Sequence, residues 1–237
     1  MTNSTYAPQA PEGAVRELHR LMGLMTGDEK HSTAATSTLD ALWVLYDRVL
    51  RVSPGTVGDR GRDRFLLSKG HGPMAYYAVL VAKGFFGEEL LGGFGGYGSP
   101  LGHHPDRTLV PGAEIGSGSL GHGLPLAVGS VLGLRAQGLT DPRVWVLIGD
   151  AELDEGSNHE AIGYAGPAGL EQLHTVVIDN GSASYGRPGG IVARFEAAGW
   201  SAEAVDGRDH EALYAAFTAP HPGRPRAVVA RVEPKSG

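Results

Sequence analysis

Asp150 and Asn180 are the residues whose types and spacing point most directly to chemistry. Each closes an apolar run. Val144-Trp145-Val146-Leu147-Ile148 leads into Gly149-Asp150-Ala151-Glu152, and thirty residues on, Thr175-Val176-Val177-Ile178 leads into Asp179-Asn180-Gly181-Ser182. A carboxylate, an amide oxygen and a nearby backbone carbonyl make a set of hard oxygen donors, which leaves room around an octahedral magnesium for two phosphate oxygens and a water. That combination predicts a diphosphate clamp. Taken singly, each residue has a purely structural reading of similar weight, Asp150 as the cap of a following helix and Asn180 as a turn residue. Their placement at two matched strand ends favours the clamp.

The clamp works only if both strand ends lie on one edge of a sheet. A helical stretch from about Ser157 to Leu170 separates the two runs, which is the pattern of a βαβ unit. Adjacent parallel strands lie about 5 Å apart, so their carboxyl ends can share one ion in the crevice beyond the sheet. The alternation continues with strands at Ser201–Val205 and Ala227–Val232 and helices at about Ile191–Ala198 and Glu211–Phe217. This predicts an α/β fold with a doubly wound, mostly parallel sheet flanked by helices.

Upstream, Val15–Met25 and Thr38–Leu50 carry apolar residues at helical spacing. The polar break between them places His31 near the start of the second helix. Arg62–Leu67 reads as a short buried strand that ends in the loop Ser68-Lys69-Gly70-His71-Gly72, before a helix at Met74–Ala82. His71 therefore falls at the carboxyl end of a strand, where open α/β sheets bind ligands. A helix is expected over Leu120–Gln137.

Composition bounds the remaining classes. The 237 residues contain no cysteine, which excludes thiolate metal sites and cysteine nucleophiles and suits a cytoplasmic protein. A net charge of −6 argues against nucleic acid, whose phosphates are neutralised by Lys and Arg. No apolar stretch approaches the ~18 residues of a membrane helix. Residues 1–12 read as a loose arm, and residues 13–237 as a single domain. The 37 glycines, many in short clusters, suggest tight turns and close backbone approach to a ligand.

Gly149-Asp150 followed by Asn180 resembles the thiamine-diphosphate motif of transketolases, and four further segments match that family in order. His31 resembles its early active-site histidine, and Ser68-Lys69-Gly70-His71 its Ser-Lys-Gly-His loop. His104-Pro105 is similar to its Gly-His-Pro segment, and Gly116–Gly123 to its Thr-Gly-Pro-Leu-Gly-Gln-Gly stretch. The resemblance implies the diphosphate-binding (PP) type of thiamine-diphosphate fold. It implies that Asp150, Asn180 and the Ser182 carbonyl hold magnesium (or calcium), and that Gly149, Ala151 and His71 lie at the diphosphate. Gly118 and Leu120 would meet the aminopyrimidine through backbone atoms. His31, His71 and His104 would line the substrate channel, binding sugar hydroxyls and assisting proton transfer near neutral pH. The implied activity moves a two-carbon ketol unit from a ketose phosphate to an aldehyde.

Several positions depart from the family pattern. Ala151 replaces the second glycine of Gly-Asp-Gly, and its methyl narrows the approach of a phosphate. His122 and His159 stand where glutamine and tryptophan are common. The sequence reaches Gly237 before the family's later phosphate-contacting histidine and its pyrimidine-binding domain, which supplies an activating glutamate. The resemblance thus implies a partner carrying the pyrimidine domain on a separate chain, two of each, with Glu155 and Glu160 near a symmetric contact or simply on a polar helix face.

Rival readings are distinguishable. Gly116-Ser117-Gly118-Ser119-Leu120-Gly121 satisfies a dinucleotide pattern, but no apolar strand precedes it and no acidic residue follows at ~20 residues. His103, His104 and Asp106 offer zinc-ligand types without a second histidine pair. The α-subunit of a 2-oxo-acid dehydrogenase is a similar diphosphate half, although the histidine set suits polyhydroxylated ketoses better. A non-catalytic relative that only binds or regulates a partner remains a reading compatible with Ala151.

Overall fold

The computed structural model describes residues 11–25, 33–70, 72–186 and 188–234. His31 and His71 therefore lie outside the described residues. Five strands form one parallel sheet in the order β1-β2-β3-β5-β4: β1 (Arg64–Leu67), β2 (Val144–Gly149), β3 (Leu173–Asp179), β4 (Ser201–Asp206) and β5 (Arg226–Arg231). All six residues of β2 are buried. Such continuous burial is what two covered faces require, and it explains why these strands are apolar throughout rather than alternating.

Alternate side chains divide between two cores. Trp145, Leu147, Val176 and Ile178 face a cluster with α1 (Pro11–Gly23), α3 (Leu39–Val44), α4 (Pro73–Ala82) and α8 (His210–Thr218). Val146, Ile148, Val177 and Val229 face α5 (Gly123–Ala136), α6 (Gly156–Ala165) and α7 (Gly190–Ala197). A short helix α2 spans Thr33–Thr36. Residues after β3 cross to the edge as β4 through α7 on one face, then return through α8 on the other to place β5 between β3 and β4. Reversing the direction of travel moves the helix to the opposite face because both crossovers keep the right-handed sense. The doubly wound architecture expected from the sequence is thus present.

Four helices differ from their expected ranges. The helix expected over Val15–Met25 spans Pro11–Gly23, so Pro11 and Glu12 of the expected arm are helical. The helix expected over Thr38–Leu50 is α-helical only to Val44 and widens into a π turn over Leu45–Val49, with Leu50 N–H donating to the Leu45 carbonyl at 2.8 Å. The helix expected to reach Leu170 stops at Ala165, before Pro167, whose missing N–H cannot continue the ladder. The helix expected from Leu120 begins at Gly123, leaving Gly116–His122 as loop. Among the described residues, no helix is long and apolar enough to cross a membrane.

The amino edge of the sheet is anchored by charge and rings. Burial would raise the Asp63 carboxyl, but bonds from Arg51 and Arg143 outweigh it and hold the group down to about 2. Nearby, the buried His174 ring stacks on Trp145 at 4.1 Å and meets His221 edge-on at 4.8 Å. Burial, then His221 and Arg143, push the His174 imidazole well below its usual 6.5. Unfolded chains accept a proton there that the folded chain refuses, so stability rises with pH across this range and is lost as pH falls below 6.5. Between about pH 7.5 and 5.5, His174 is expected to account for lost stability on the order of 1 kcal/mol. A His174→Phe variant, which keeps a stacking ring, should show a melting temperature less sensitive to pH over that interval by roughly 3–5 °C. An unchanged pH dependence would refute this assignment.

Candidate functional site

The carboxyl ends of β1, β2 and β3 open into three segments: the loop from Ser68, a 3-10 turn over Asp150–Asp154, and the loop from Asn180. Gly149 and Ile178 form the last pair between β2 and β3. Asp150 follows the first by one residue and Asn180 the second by two. The structure therefore puts both expected clamp residues on one sheet edge.

The Asp150 side chain is almost completely buried, at 1% exposure. Its carboxylate accepts the Ser182 N–H at 2.6 Å, the Ser182 hydroxyl at 2.5 Å and the Ala183 N–H at 3.0 Å. The Ser182 carbonyl is the expected ligand; here the N–H and O–H of the same residue donate to Asp150. Asn180 is 3% exposed, and its side-chain oxygen has no hydrogen-bond partner. A buried amide oxygen without a donor is costly, by about 1–3 kcal/mol. A buried carboxylate and an unsatisfied amide oxygen at neighbouring strand ends are the donor types that fit a hard cation. Asp150 also lines a cavity of about 310 Å³ with Asp179, Gly181, Ala183, Arg194 and Arg231. Ala151 lies in the 3-10 turn, and no non-glycine among the described residues has positive φ, so alanine is accepted there without backbone strain.

Across the crevice, three segments interlock through glycine. A Cβ at Gly70 would sit 2.9 Å from the Gly118 Cα and 2.9 Å from His104 Nδ1. Gly118 itself has φ 127°, which L side chains rarely adopt. His104 lies over both glycines, with Nδ1 3.2 Å from the Gly70 carbonyl oxygen. His104 and Gly118 are thus brought together, next to the loop that continues to His71. The Leu120 side chain is 42% exposed. His122 brackets the same loop: its Nε2 is 3.0 Å from the Gly116 carbonyl oxygen and its Nδ1 contacts that of Ser119. Burial pushes the Tyr77 phenol up, so it stays protonated and donates to the Gly102 carbonyl at 2.9 Å, anchoring the approach to His104. His103 instead packs its ring on Phe94, and no three His, Asp or Glu among the described residues converge as a metal set. Among the described residues no strand leads into Gly116, which removes the context that a dinucleotide reading needs.

One buried acid beside the clamp has no role implied by the resemblance. Glu152, 1% exposed, accepts the Gly149 N–H at 3.0 Å, the Gly121 N–H at 3.1 Å and the Ser68 hydroxyl at 2.7 Å. Its position three residues past Gly149, where a capping-box glutamate reaches back to a backbone N–H, is the available signal for the first of these bonds. Nothing local announces the other two. Glu155 and Glu160 are exposed, at the start and middle of α6, and His159 is half-buried there.

Residues 22–232 match the family described as transketolase, thiamine diphosphate binding domain. A protein of Rhodococcoides fascians named Ferredoxin fas2 is 57% identical over 220 residues, covering 93% of this chain and 72% of that protein. Iron–sulfur clusters need cysteine ligands, and none occurs among these 237 residues, so ferredoxin chemistry does not transfer. One of the subunits of the apulose-4-phosphate transketolase of Actinobacillus succinogenes is 33% identical over 214 residues, covering 87% of this chain and 77% of that protein. A crystal structure of a Pichia stipitis transketolase variant superposes with a TM-score of 0.78 at 26% identity, covering 93% of this chain. This chain spans 36% of the length of that solved transketolase.

Proposed function

Since the chain belongs to the transketolase family, matching its thiamine diphosphate binding domain, we propose that it is the diphosphate- and magnesium-binding subunit of a two-component transketolase. The observation that carries this reading is the unsatisfied, buried Asn180 oxygen at the strand end beside the buried Asp150 carboxylate. Asp150, Asn180 and a Ser182 carbonyl would hold the cation, which calcium could replace. For that, the cation must compete with the N–H and O–H donors that now occupy the Asp150 oxygens. Gly149 and Ala151 offer the adjoining backbone to the diphosphate, and Gly118 and Leu120 the backbone facing the aminopyrimidine.

When bound, thiamine diphosphate supplies the carbon chemistry for moving a two-carbon ketol unit. This chain's part is to bind, orient and exchange protons. His104, fixed over Gly70 and Gly118, would hydrogen-bond a sugar hydroxyl and take or return its proton, with His31 and His71 assigned the same work. Imidazole suits that task because its ordinary pKa lies near neutrality.

The remaining half of the site would come from a partner carrying the pyrimidine-binding domain. The Actinobacillus relative supports this, because its name makes it one subunit of a transketolase rather than the whole enzyme. Two copies of each chain are proposed. Helices α5 and α6 expose Leu126, Leu132 and Tyr164, an apolar surface suited to a second copy, with Glu155 and Glu160 at its margin.

Co-purification with the partner, followed by a thiamine-diphosphate-dependent assay of ketol transfer from a ketose phosphate to an aldehyde, tests the reading. Transfer activity in a complex with the mass of two copies of each chain is the expected result. Carbon dioxide release from a 2-oxo acid without ketol transfer would establish the dehydrogenase reading instead. A complex that binds no thiamine diphosphate would establish a non-catalytic role.

A further inference from the structure

The geometry points to Glu152 as a positioning residue that holds three cofactor-facing segments in register before any ligand arrives. Resting on the function proposed above, this inference concerns residues given no role there. One carboxylate oxygen accepts the Ser68 hydroxyl and the Gly121 N–H, and the other accepts the Gly149 N–H. Ser68 Oγ in turn accepts the Gly123 N–H at 3.1 Å. The loop after β1, the loop entering α5 and the end of β2 therefore meet on one side chain. Ser157 reinforces the middle segment by donating to the Gly121 carbonyl at 2.6 Å.

The three groups that hydrogen-bond the Glu152 side chain among the described residues are all donors. Two are backbone N–H groups, and the third, Ser68, has its hydrogen directed at Glu152 while its oxygen receives Gly123. Only an acceptor-only side chain satisfies all of them, and ionised glutamate is one. A glutamine in the same place must turn its NH2 toward at least one backbone N–H, whichever way its amide is flipped. Aspartate is one methylene too short to span the same three donors. An acceptor at both side-chain oxygens is thus required by the donor pattern, and the segments Glu152 joins carry Gly118, Leu120, Gly149 and Asp150, all assigned to cofactor or metal.

The test compares the wild-type chain of 237 residues with Glu152→Gln by amide hydrogen exchange. Faster exchange at Gly121, Gly123 and Gly149, with β3 amides unchanged, is expected. In the complex with its partner, apparent affinity for thiamine diphosphate with magnesium should fall about 10- to 100-fold, the range for residues that orient ligands without touching them. The ketose KM at saturating cofactor should stay within about twofold, because the bonds of the network fall on the cofactor-facing segments. Ser68→Ala removes one hydroxyl without adding bulk and serves if Glu152→Gln does not fold. In combination, the two substitutions should cost less than the sum of each alone. Unchanged protection at Gly121 and Gly123, equally faster exchange across β3, or unaltered cofactor affinity would each overturn the inference. Asp150→Ala separates the two levels of argument. If it leaves cofactor binding intact, the proposed site is wrong; if it abolishes binding while Glu152→Gln does not weaken it, only the role of Glu152 fails.

Discussion

Asp150→Ala is expected to lower ketol transfer by the assembled complex by roughly 100-fold or more, with part of the loss recovered at high magnesium. Substitutions that merely disturb the orientation of a metal ligand already lower affinity about 10- to 100-fold, and Asp150 is the only carboxylate in the proposed set. The amide and carbonyl oxygens that remain are neutral, and a hard cation bridging a diphosphate loses its strongest protein ligand. Folding should survive the change. The donors released from Asp150 belong to Ser182 and Ala183, in a loop segment that is only half-buried to exposed, where water can replace the carboxylate. Circular dichroism and the melting temperature, measured beside activity over a magnesium titration, check both halves of the expectation. Wild-type activity at limiting magnesium would remove Asp150 from the metal site.

Gly123→Ala is expected to have the largest effect on stability. A Cβ at this position would lie 2.2 Å from the Ser68 Cβ, 2.4 Å from its Oγ and 3.1 Å from its Cα. The obstacle is the root of a buried side chain rather than a flexible tip, so α5 or the loop after β1 must move. Overpacking of this kind costs about 1–3 kcal/mol. Displacing Ser68 also breaks its bonds to Gly123 and Glu152, and each buried polar group left unsatisfied adds about 1–3 kcal/mol. With some relaxation, a loss of about 3 kcal/mol and a fall in melting temperature of roughly 6–12 °C is expected. Gly129→Ala is the internal control. It lies on the same helix with nothing within 4 Å of its would-be Cβ, and alanine there should be neutral or stabilising by up to about 1 kcal/mol. Equal melting temperatures for the two variants would contradict the close packing at Gly123.

Legibility in the sequence followed the physical range of each signal. Strands β2, β3 and β5 were readable because a strand covered on both faces must be apolar along its whole length, and runs such as Val144–Ile148 have few other uses. The strand-end positions of Asp150 and Asn180 were readable for a related reason: the end of a parallel strand and the start of the next loop are adjacent in sequence, so motif and position coincide. The π turn over Leu45–Val49 escaped because its apolar residues still fall at nearly helical spacing. The place of β5 escaped because insertion between β3 and β4 is a matter of which edges pair, and no local pattern states the pairing.

The cofactor loops divide along the same line. Residue types and order alone determined that a glycine-rich, cysteine-free α/β chain carries an aspartate and an asparagine at two neighbouring strand ends, together with the segments that resemble those of transketolases. Tertiary structure alone decided how those segments hold one another. Ser68 and Glu152 meet across 84 positions and Gly121 and Glu152 across 31, His104 closes over Gly70 across 34, and Asp150 is held by Ser182 across 32. Such contacts follow from strand order and helix packing. A carboxylate that satisfies three distant donors leaves no local pattern beyond a glutamate near a glycine, so its role becomes visible only once the chain has folded.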